Sequence, residues 1–534
     1  MHEPESYFES STDTNVADNS IVTSPPNNAL RTGKTTENTI EIVEKYQNNR
    51  LNNSEIIAVY DLATLSMNDG HYGEACLFLE TIITSRPDYH PALSLLAKCY
   101  LHLYQGIGNL DDSINYFRYK LKSQPDNQNL VDAYLSSLHY ADEVDCLDLY
   151  NEHLRLARHP QNFKKRAPIK LPRKSQKKIR IGYVSSDFKT HAVSYFSSVL
   201  FSSYDASKYE IYMYRAQTTC DKITGYFTAR SSVQRDISAM DDETASCVIE
   251  RDHCDLLIDL SGHSAGNRLG IFALKPARTQ LTYLGYPNTT GLSTIDYRIT
   301  DAIADPLGSA DNFHSEKLLR LPACFLCYTP PANVPPVSQP PFLKNGFITF
   351  GSFNNSNKIS DLLLSLWKLI LDNTPNARLL IKSSTYMDKQ IARRLLIRCR
   401  TSGIDTQRLY ILPTTVTIEE HLNLYKNVDI SLDTYPYNGA TTTFESLWMG
   451  VPVVTLSGNR HASRVGASVL THAGLPELVG NTPLHYVTTA STLANDVNIL
   501  IRLRRELRPT LTDTVCNKEK FMISFENTCD KILL

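Results

Sequence analysis

The spacing of apolar residues divides the chain into a helical part and an alternating part. Between residues 37 and 160, apolar positions recur at helical intervals, as in Leu62, Leu65, Leu79 and Ile82, then Leu93, Leu96, Ala97 and Tyr100, which predicts amphipathic helices. From Ile179 the pattern changes to short apolar runs separated by helical stretches. Strands are predicted at Ile179 to Val184, Glu210 to Tyr214, Asp255 to Leu260, Gln280 to Leu284 and Lys317 to Leu321, with a helix over His191 to Tyr204. Pro-Pro pairs in residues 331–343 mark a linker. The alternation restarts at Gly346 to Gly351 and runs through helix 361–371, strand Ala377 to Lys382, helix 387–400, strand Arg408 to Leu412, helix 418–426, strand Val428 to Leu432, helix 442–449 and strand Val451 to Leu456. Short apolar strands alternating with helices imply parallel, doubly wound sheets covered on both faces. The expected fold is α/β, with two Rossmann-like domains over 179–340 and 341–534 preceded by an all-α segment over 37–160. A cleft between the carboxyl ends of the strands follows from that topology. Neither half has GxGxxG after its first strand, which argues against a dinucleotide dehydrogenase.

The helical segment contains a repeat. Gly70 leads on to Pro87 and Gly108 to Pro125, 17 residues in each case, and the two units are offset by 38. This resembles the 34-residue tetratricopeptide (TPR) period with an insertion near Tyr104 to Ile107. Such hairpins bury their apolar faces only by stacking, so two units are expected to lean on flanking helices at Leu130 to His139 and Val144 to Leu156. Residues 1–36, rich in Ser, Thr, Asn and Asp, read as a disordered tail. Residues 161–180 carry nine Lys or Arg and no acid. With two prolines and little aromatic content, the stretch 161–178 reads as a basic linker rather than a nucleic-acid patch or targeting signal.

Composition narrows the function classes. The 534 residues carry a net charge of −2, so no global drive toward nucleic acid or an anionic membrane is expected. No apolar run approaches a membrane span, and the first residues, Met1-His-Glu-Pro-Glu-Ser, lack a signal core. Eleven cysteines show no disulfide framework, which predicts a reducing, cytoplasmic setting. Cys324-Phe-Leu-Cys327 lacks a second pair and reads as buried packing rather than a zinc half-site. No metal site is expected.

The most informative chemistry lies in Asp433-Thr-Tyr-Pro-Tyr-Asn-Gly-Ala-Thr-Thr-Thr-Phe-Glu-Ser-Leu-Trp-Met-Gly-Val-Pro-Val-Val454. A strand ends in a Pro- and Gly-bearing loop and enters a helix whose start carries Thr441, Thr442 and Thr443. Thr442 and Glu445 have capping-box spacing. Free N–H groups beside hydroxyls at a helix start suit a phosphate, and Glu445 is placed to accept from a ribose. An ordinary capped helix after a buried strand has the same pattern.

These segments in their order resemble the O-linked N-acetylglucosamine transferase family, especially its SPINDLY-like branch. The resemblance is densest in Arg180-Ile-Gly-Tyr-Val-Ser-Ser-Asp-Phe188 with His191, and in Asp259-Leu-Ser-Gly-His263-Ser-Ala-Gly-Asn-Arg268. It continues in Leu284-Gly-Tyr-Pro-Asn-Thr-Thr-Gly291, Asp296-Tyr-Arg-Ile-Thr-Asp301, Gly346-Phe-Ile-Thr-Phe-Gly-Ser-Phe-Asn-Asn355, the Asp433 to Val454 block and Ser463-Arg-Val-Gly-Ala-Ser468. The resemblance implies a metal-independent, inverting glycosyltransferase of the GT-B type. Such an enzyme moves a sugar from a nucleotide donor to a protein Ser or Thr hydroxyl, and the TPR part selects the acceptor. It also implies roles. Lys358 matches the lysine facing the donor diphosphate, Asn355 a position near base and phosphate, Thr441 and Thr442 the phosphate-contacting threonines, and Glu445 the ribose-binding carboxylate. His421 resembles a nucleotide-side histidine. His191 and His263 are the acceptor-side candidates, each able to take a hydroxyl proton or orient the acceptor.

Two departures bear on the donor. Animal-type members have His-Thr-Thr at the helix start, where this chain has Ala440, and a lysine before Glu-Glu-His, where it has Ile418. UDP-GlcNAc is the first expectation for the donor and GDP-fucose the second. An inactive TPR scaffold and a sugar-nucleotide epimerase are the competing classes; the epimerase would need no docking repeats.

Overall fold

The computed structural model describes Val43 and residues 51–104, 108–157 and 178–533. The expected tail 1–36 and nearly all of the basic linker 161–178 lie outside the described residues.

Six helices form three stacked hairpins: α1 (Asn53–Asp69) with α2 (Tyr72–Ser85), α3 (His90–Tyr104) with α4 (Leu110–Ser123), and α5 (Gln128–Leu138) with α6 (Cys146–Ala157). The two helices read from sequence as flanking supports are thus a third hairpin. Asparagines open three of these helices: Asn52, Asn109 and Asn127 each accept a backbone N–H of the first turn. Helix α2 has no such residue of its own. Its first-turn N–H groups of Gly73 and Glu74 instead donate to the Asp112 carboxylate of the next repeat, at 2.7 and 3.0 Å. Gly73 permits this approach, since a Cβ there would lie 2.6 Å from Tyr116 Cβ. Burial pushes the Asp112 carboxyl up to about 6, against the pull of the Gly73 N–H. Asp112→Ala removes a cap and strands N–H groups at the α2 start, so unfolding stability is expected to fall by about 2 kcal/mol. A denaturant titration showing less than about 0.5 kcal/mol would refute the cross-repeat cap.

Two parallel sheets follow. The first comprises β1 (Ile179–Ser185), β2 (Tyr209–Arg215), β3 (Val233–Asp236), β4 (Leu256–Asp259), β5 (Thr279–Thr282), β6 (Tyr297–Asp301) and β7 (Lys317–Leu321), ordered β3-β2-β1-β4-β5-β6-β7. The second comprises β8 (Thr349–Ser352), β9 (Arg378–Lys382), β10 (Leu409–Leu412), β11 (Ile430–Leu432), β12 (Val453–Leu456) and β13 (Val479–Gly480), ordered β10-β9-β8-β11-β12-β13. Buried apolar runs make these strands. Tyr183, Ile211, Leu256 and Leu281 in the first sheet, and Phe350, Leu379, Ile430 and Val454 in the second, are all buried. Each order reverses direction once, between β1 and β4 and between β8 and β11. Those reversals are the switch points where loops splay apart and ligands enter open α/β sheets.

The two units lock together through buried polar contacts. His461 Nδ1 lies 2.8 Å from Asp305 Oδ2, and Ser468 Oγ donates to Asp301 Oδ2 at 2.5 Å. The chain then returns to the first unit. The last helix (Lys518–Leu533) lies against it, with Tyr209 donating to Asp530 at 2.7 Å and the Asp205 N–H to Glu526 at 2.8 Å. The helix therefore belongs structurally with the first sheet, although it falls inside the 341–534 segment. The helical hairpins also join this body. Gly291, with φ +74° and room for a Cβ only 2.5 Å from His153 O, brings the first unit against α6.

Candidate active site

The loops after the central strands carry most of the expected residues. In the second unit, the segment after β8 contains Asn355, which caps a short 3₁₀ turn (Ser356–Lys358) by accepting the Asn357 N–H at 3.1 Å. Asn355 is exposed, and Lys358 is half-buried. The Lys358 ammonium donates to Asn438 O at 2.7 Å and sits 3.9 Å from the centre of the Tyr437 ring. Burial draws its pKa down to about 8, opposed by the nearby Asp433 carboxylate.

The loop after β11 is pinned by buried hydrogen bonds. Asp433 accepts from the Thr434 and Gly439 N–H groups at 2.8 and 2.7 Å and from Thr455 Oγ1 at 2.7 Å. Asn438 Nδ2 donates to Thr434 O at 2.7 Å. The loop delivers the chain into the helix Thr441–Trp448. Its three threonines open the first turn as expected, but the capping box does not form. The N-cap is Ala440, with no side-chain cap. Thr442 Oγ1 donates to Asn354 Oδ1 at 2.7 Å, and Glu445 turns to His421, whose Nε2 lies 3.0 Å from Oε2. The reason is tertiary: Thr442 finds its partner in the loop after β8, and Glu445 on helix Ile418–Asn423. The first-turn N–H groups of Thr441 to Thr443 have no partner within the helix, and the Lys358 ammonium is held by Asn438 O, three residues before that helix start.

Sequence reasoning missed one residue here. Lys382, the last residue of β9, donates to His421 Nδ1 at 2.6 Å. Its position at a strand's carboxyl end is the one signal that could have drawn attention to it.

In the first unit, His191 follows β1 and precedes the helix Ser194–Ser202. Its side chain is 45% exposed, and Nδ1 is 3.6 Å from the buried Asp187 carboxylate. Burial raises the Asp187 carboxyl, and His191 pulls it back. The same helix places Phe196 on Phe444, ring centres 5.4 Å apart, so the His191 element touches the Thr441–Trp448 helix across the cleft. Among the described residues, no hydrogen bond joins His191 to the Lys358 group.

His263 is placed differently. It follows β4 but is 2% exposed, with Nδ1 3.1 Å from Asp132 of α5 and Nε2 2.9 Å from Thr290 O. Both nitrogens already have oxygen partners inside the fold, so neither is turned toward an acceptor hydroxyl. Beside it, Tyr286 hydroxyl lies between His139 Nε2 (3.1 Å) and His153 Nε2 (2.8 Å). Burial lowers the His153 pKa to about 3 and that of His139 well below its usual value. His263 therefore joins a buried joint between helical segment and first unit. It also lines one wall of a groove of about 410 Å³ with Asn127, Asn129, Asp132, Tyr140 and Asn357.

Asp301, Cys324 and His472 bring ligand-type atoms within 4.8 Å of one another. Asp301 already accepts four hydrogen bonds, from Ile303 N, Ala304 N, Phe325 N and Ser468 Oγ, and His472 Nδ1 faces Ser468 O at 2.9 Å. The group reads as a satisfied contact between the two units. Cys327, like Cys324, is buried, and burial raises its thiol to about 12. Among the described residues, no helix is long and apolar enough to cross a membrane.

Comparison with known proteins matches residues 146–329 and 338–522 to glycosyl transferase family 41. The Arabidopsis thaliana protein described as "Probable UDP-N-acetylglucosamine--peptide N-acetylglucosaminyltransferase SPINDLY" is 41% identical over 416 residues, 76% of this chain and 45% of that protein. A second Arabidopsis relative, described with the same activity and the name SEC, is 32% identical over 357 residues, 64% of this chain and 36% of its own length. The chain thus spans less than half the length of these relatives. Among solved structures, a variant of the Thermobaculum terrenum O-GlcNAc transferase superposes with a TM-score of 0.77 at 31% identity, covering 93% of each chain. That agreement extends through the helical hairpins and both sheets, confirming a GT-B architecture behind an all-α segment. Because the family match runs through both switch points and the segments that bear Lys358, His421 and Glu445, this chain belongs to glycosyltransferase family 41.

Proposed function

We propose that this protein is an inverting protein O-glycosyltransferase, taking GlcNAc from UDP-GlcNAc to Ser or Thr hydroxyls. The carrying observation is that the Lys358 ammonium bonds Asn438 O in the loop that leads directly into the uncapped start of helix Thr441–Trp448. In this reading the acceptor oxygen attacks the anomeric carbon from the face opposite the diphosphate. A carbon–oxygen bond forms as the bond to the leaving diphosphate breaks. The growing negative charge meets Lys358 and the N–H groups of Thr441 and Thr442, fixed before the reaction begins and needing no metal ion. Asn355 lies at the base and phosphate, and Glu445 with His421 at the ribose. The proton leaves the acceptor hydroxyl on the first-unit side. There His191 is half-exposed with a carboxylate behind it, while His263 has both nitrogens occupied.

The groove between α5 and the first unit is the proposed seat of the protein acceptor, so the helical segment selects partners while forming one wall of the cleft. Eleven cysteines without a disulfide fit a cytoplasmic setting. A GDP-fucose donor is the second reading. It is favoured by Ala440 at the helix start and by Ile418, 37% exposed, both near the nucleotide residues.

Thermal unfolding with UDP or GDP tests both readings. A nucleotide at about 100 times its Kd adds roughly 2.7 kcal/mol, a visible shift. UDP alone is expected to stabilise the protein; stabilisation by GDP alone would transfer the assignment to fucose. No shift with either would favour an inactive scaffold.

A further inference from the structure

Glu445, the carboxylate assigned to the donor ribose, is the end of a buried chain of three side chains. It is 4% exposed, and Oε2 is engaged by His421 Nε2 at 3.0 Å, while Oε1 carries no hydrogen bond among the described residues. On the far side of the imidazole, Lys382 Nζ stands 2.6 Å from Nδ1. An ammonium has no lone pair and can only donate. Nδ1 must therefore accept, which places the proton of the ring on Nε2, pointing at Glu445. The tautomer of His421 is set from behind, before any nucleotide arrives. Phe353 and Tyr425 wall the ring, with centres 5.9 and 5.8 Å away, so it is held in plane as well.

Lys382 is unusual in its own right. It is 8% exposed, and among the described residues it forms no ion pair within 4.0 Å; its ammonium has His421 as its one hydrogen-bond partner. Burying an ammonium against a neutral ring costs stability, and burial accordingly draws its pKa down, with the field of Glu445 opposing. An apolar side chain at the end of β9 would avoid that cost, so packing alone does not account for a lysine.

We propose that Lys382 is a positioning residue for ribose recognition. Acting through His421, it holds Glu445 with Oε2 occupied and Oε1 free to accept from a hydroxyl of the donor ribose. The proposal rests on the nucleotide-donor reading above. It makes the protein's preference for ribonucleotide over deoxyribonucleotide depend on a side chain that does not touch the sugar.

The test uses the full chain and whichever of UDP and GDP stabilises the wild type, together with its 2′-deoxy and 3′-deoxy forms, all measured by calorimetry. Wild type is expected to bind the ribonucleotide at least tenfold more tightly than one of the deoxy forms. Lys382→Met, of similar length and uncharged, should weaken the ribonucleotide about tenfold and leave that deoxy form nearly unchanged, collapsing the ratio. Lys382→Arg, which keeps a donor, should retain part of the preference. NMR of protein labelled with ¹⁵N-histidine should show His421 as the Nε2–H tautomer in wild type and a mixture in Lys382→Met. An unchanged ribose preference in Lys382→Met, or equal weakening of ribo- and deoxyribonucleotide, would overturn the proposal. So would an Nδ1–H tautomer in wild type. Wild type that binds neither nucleotide would instead remove the donor reading, and the ribose role with it, a result the tautomer measurement cannot mimic.

Discussion

Replacing Lys358 with alanine is expected to lower turnover by about 10²- to 10³-fold, the scale of removing one preorganised charge stabiliser, while the protein stays folded. The side chain is half-buried, and its one hydrogen bond among the described residues, to Asn438 O, can pass to water. Stability therefore has little to lose. Under the proposed reading the transition state has much more at stake, because a leaving diphosphate would gain charge beside that ammonium. The lowered pKa sharpens the test. With Lys358 near 8, its ammonium predominates below that pH and is lost as the pH rises through it. Turnover should thus decline on the alkaline side, and Lys358→Arg, charged throughout, should lack that decline. A Lys358→Ala enzyme within about threefold of wild type would remove this lysine from the chemistry.

Asp305→Ala is expected to destabilise the protein by about 2–3 kcal/mol, the scale of leaving buried hydrogen-bond partners, here His461 and Thr300, unsatisfied. Asp305 and His461, from different α/β units, have side chains only 1% and 4% exposed, and meet at 2.8 Å. Burial would raise the Asp305 carboxyl, but the charge and hydrogen bond of His461 hold it well below the usual carboxylate range. The sign of the pH dependence follows. A carboxyl with a depressed folded pKa contributes stability that is present above its unfolded value, about 3.9, and lost as pH falls below it. Wild type should therefore lose stability relative to Asp305→Ala on acidification below about pH 4. Denaturant midpoints across pH, with His461→Ala completing a double-mutant cycle, measure the coupling. A single-variant loss below 1 kcal/mol would show that the pair does not hold the two units together.

Local sequence carried the architecture a long way. Helical spacing located the hairpins, and apolar runs located the strands that are buried on both faces, because such periodicity records which surfaces must leave water. It failed where burial is partial. Strand β3, Val233–Asp236, is mostly exposed and offers no apolar run. Strand β6, Tyr297–Asp301, carries Arg298 in its interior, a polar residue satisfied by Asn288 O and Tyr286 O at 2.7 and 2.8 Å. The third hairpin was visible as helices but not as a repeat, since α5 and α6 lack the Gly and Pro marks of the other two.

At the site, motif order placed Lys358 after a strand, Thr441 and Thr442 at a helix start and Glu445 one turn further in, because backbone geometry at a strand end and helix start is a local property. The partners of those residues are not local. Capping-box spacing joined Thr442 to Glu445, whereas the fold turns one toward Asn354 and the other toward His421. His263 lines the groove, but its partner Asp132, 131 residues away, could not be read from the sequence. Lys382 had no sequence signal beyond its strand, and its meaning comes from facing His421 across 39 residues. Propensity and periodicity act over a few neighbouring residues and so determine elements and their ends. Hydrogen-bond partners, burial and tautomers depend on which elements the fold sets side by side, and only long-range packing could assign them.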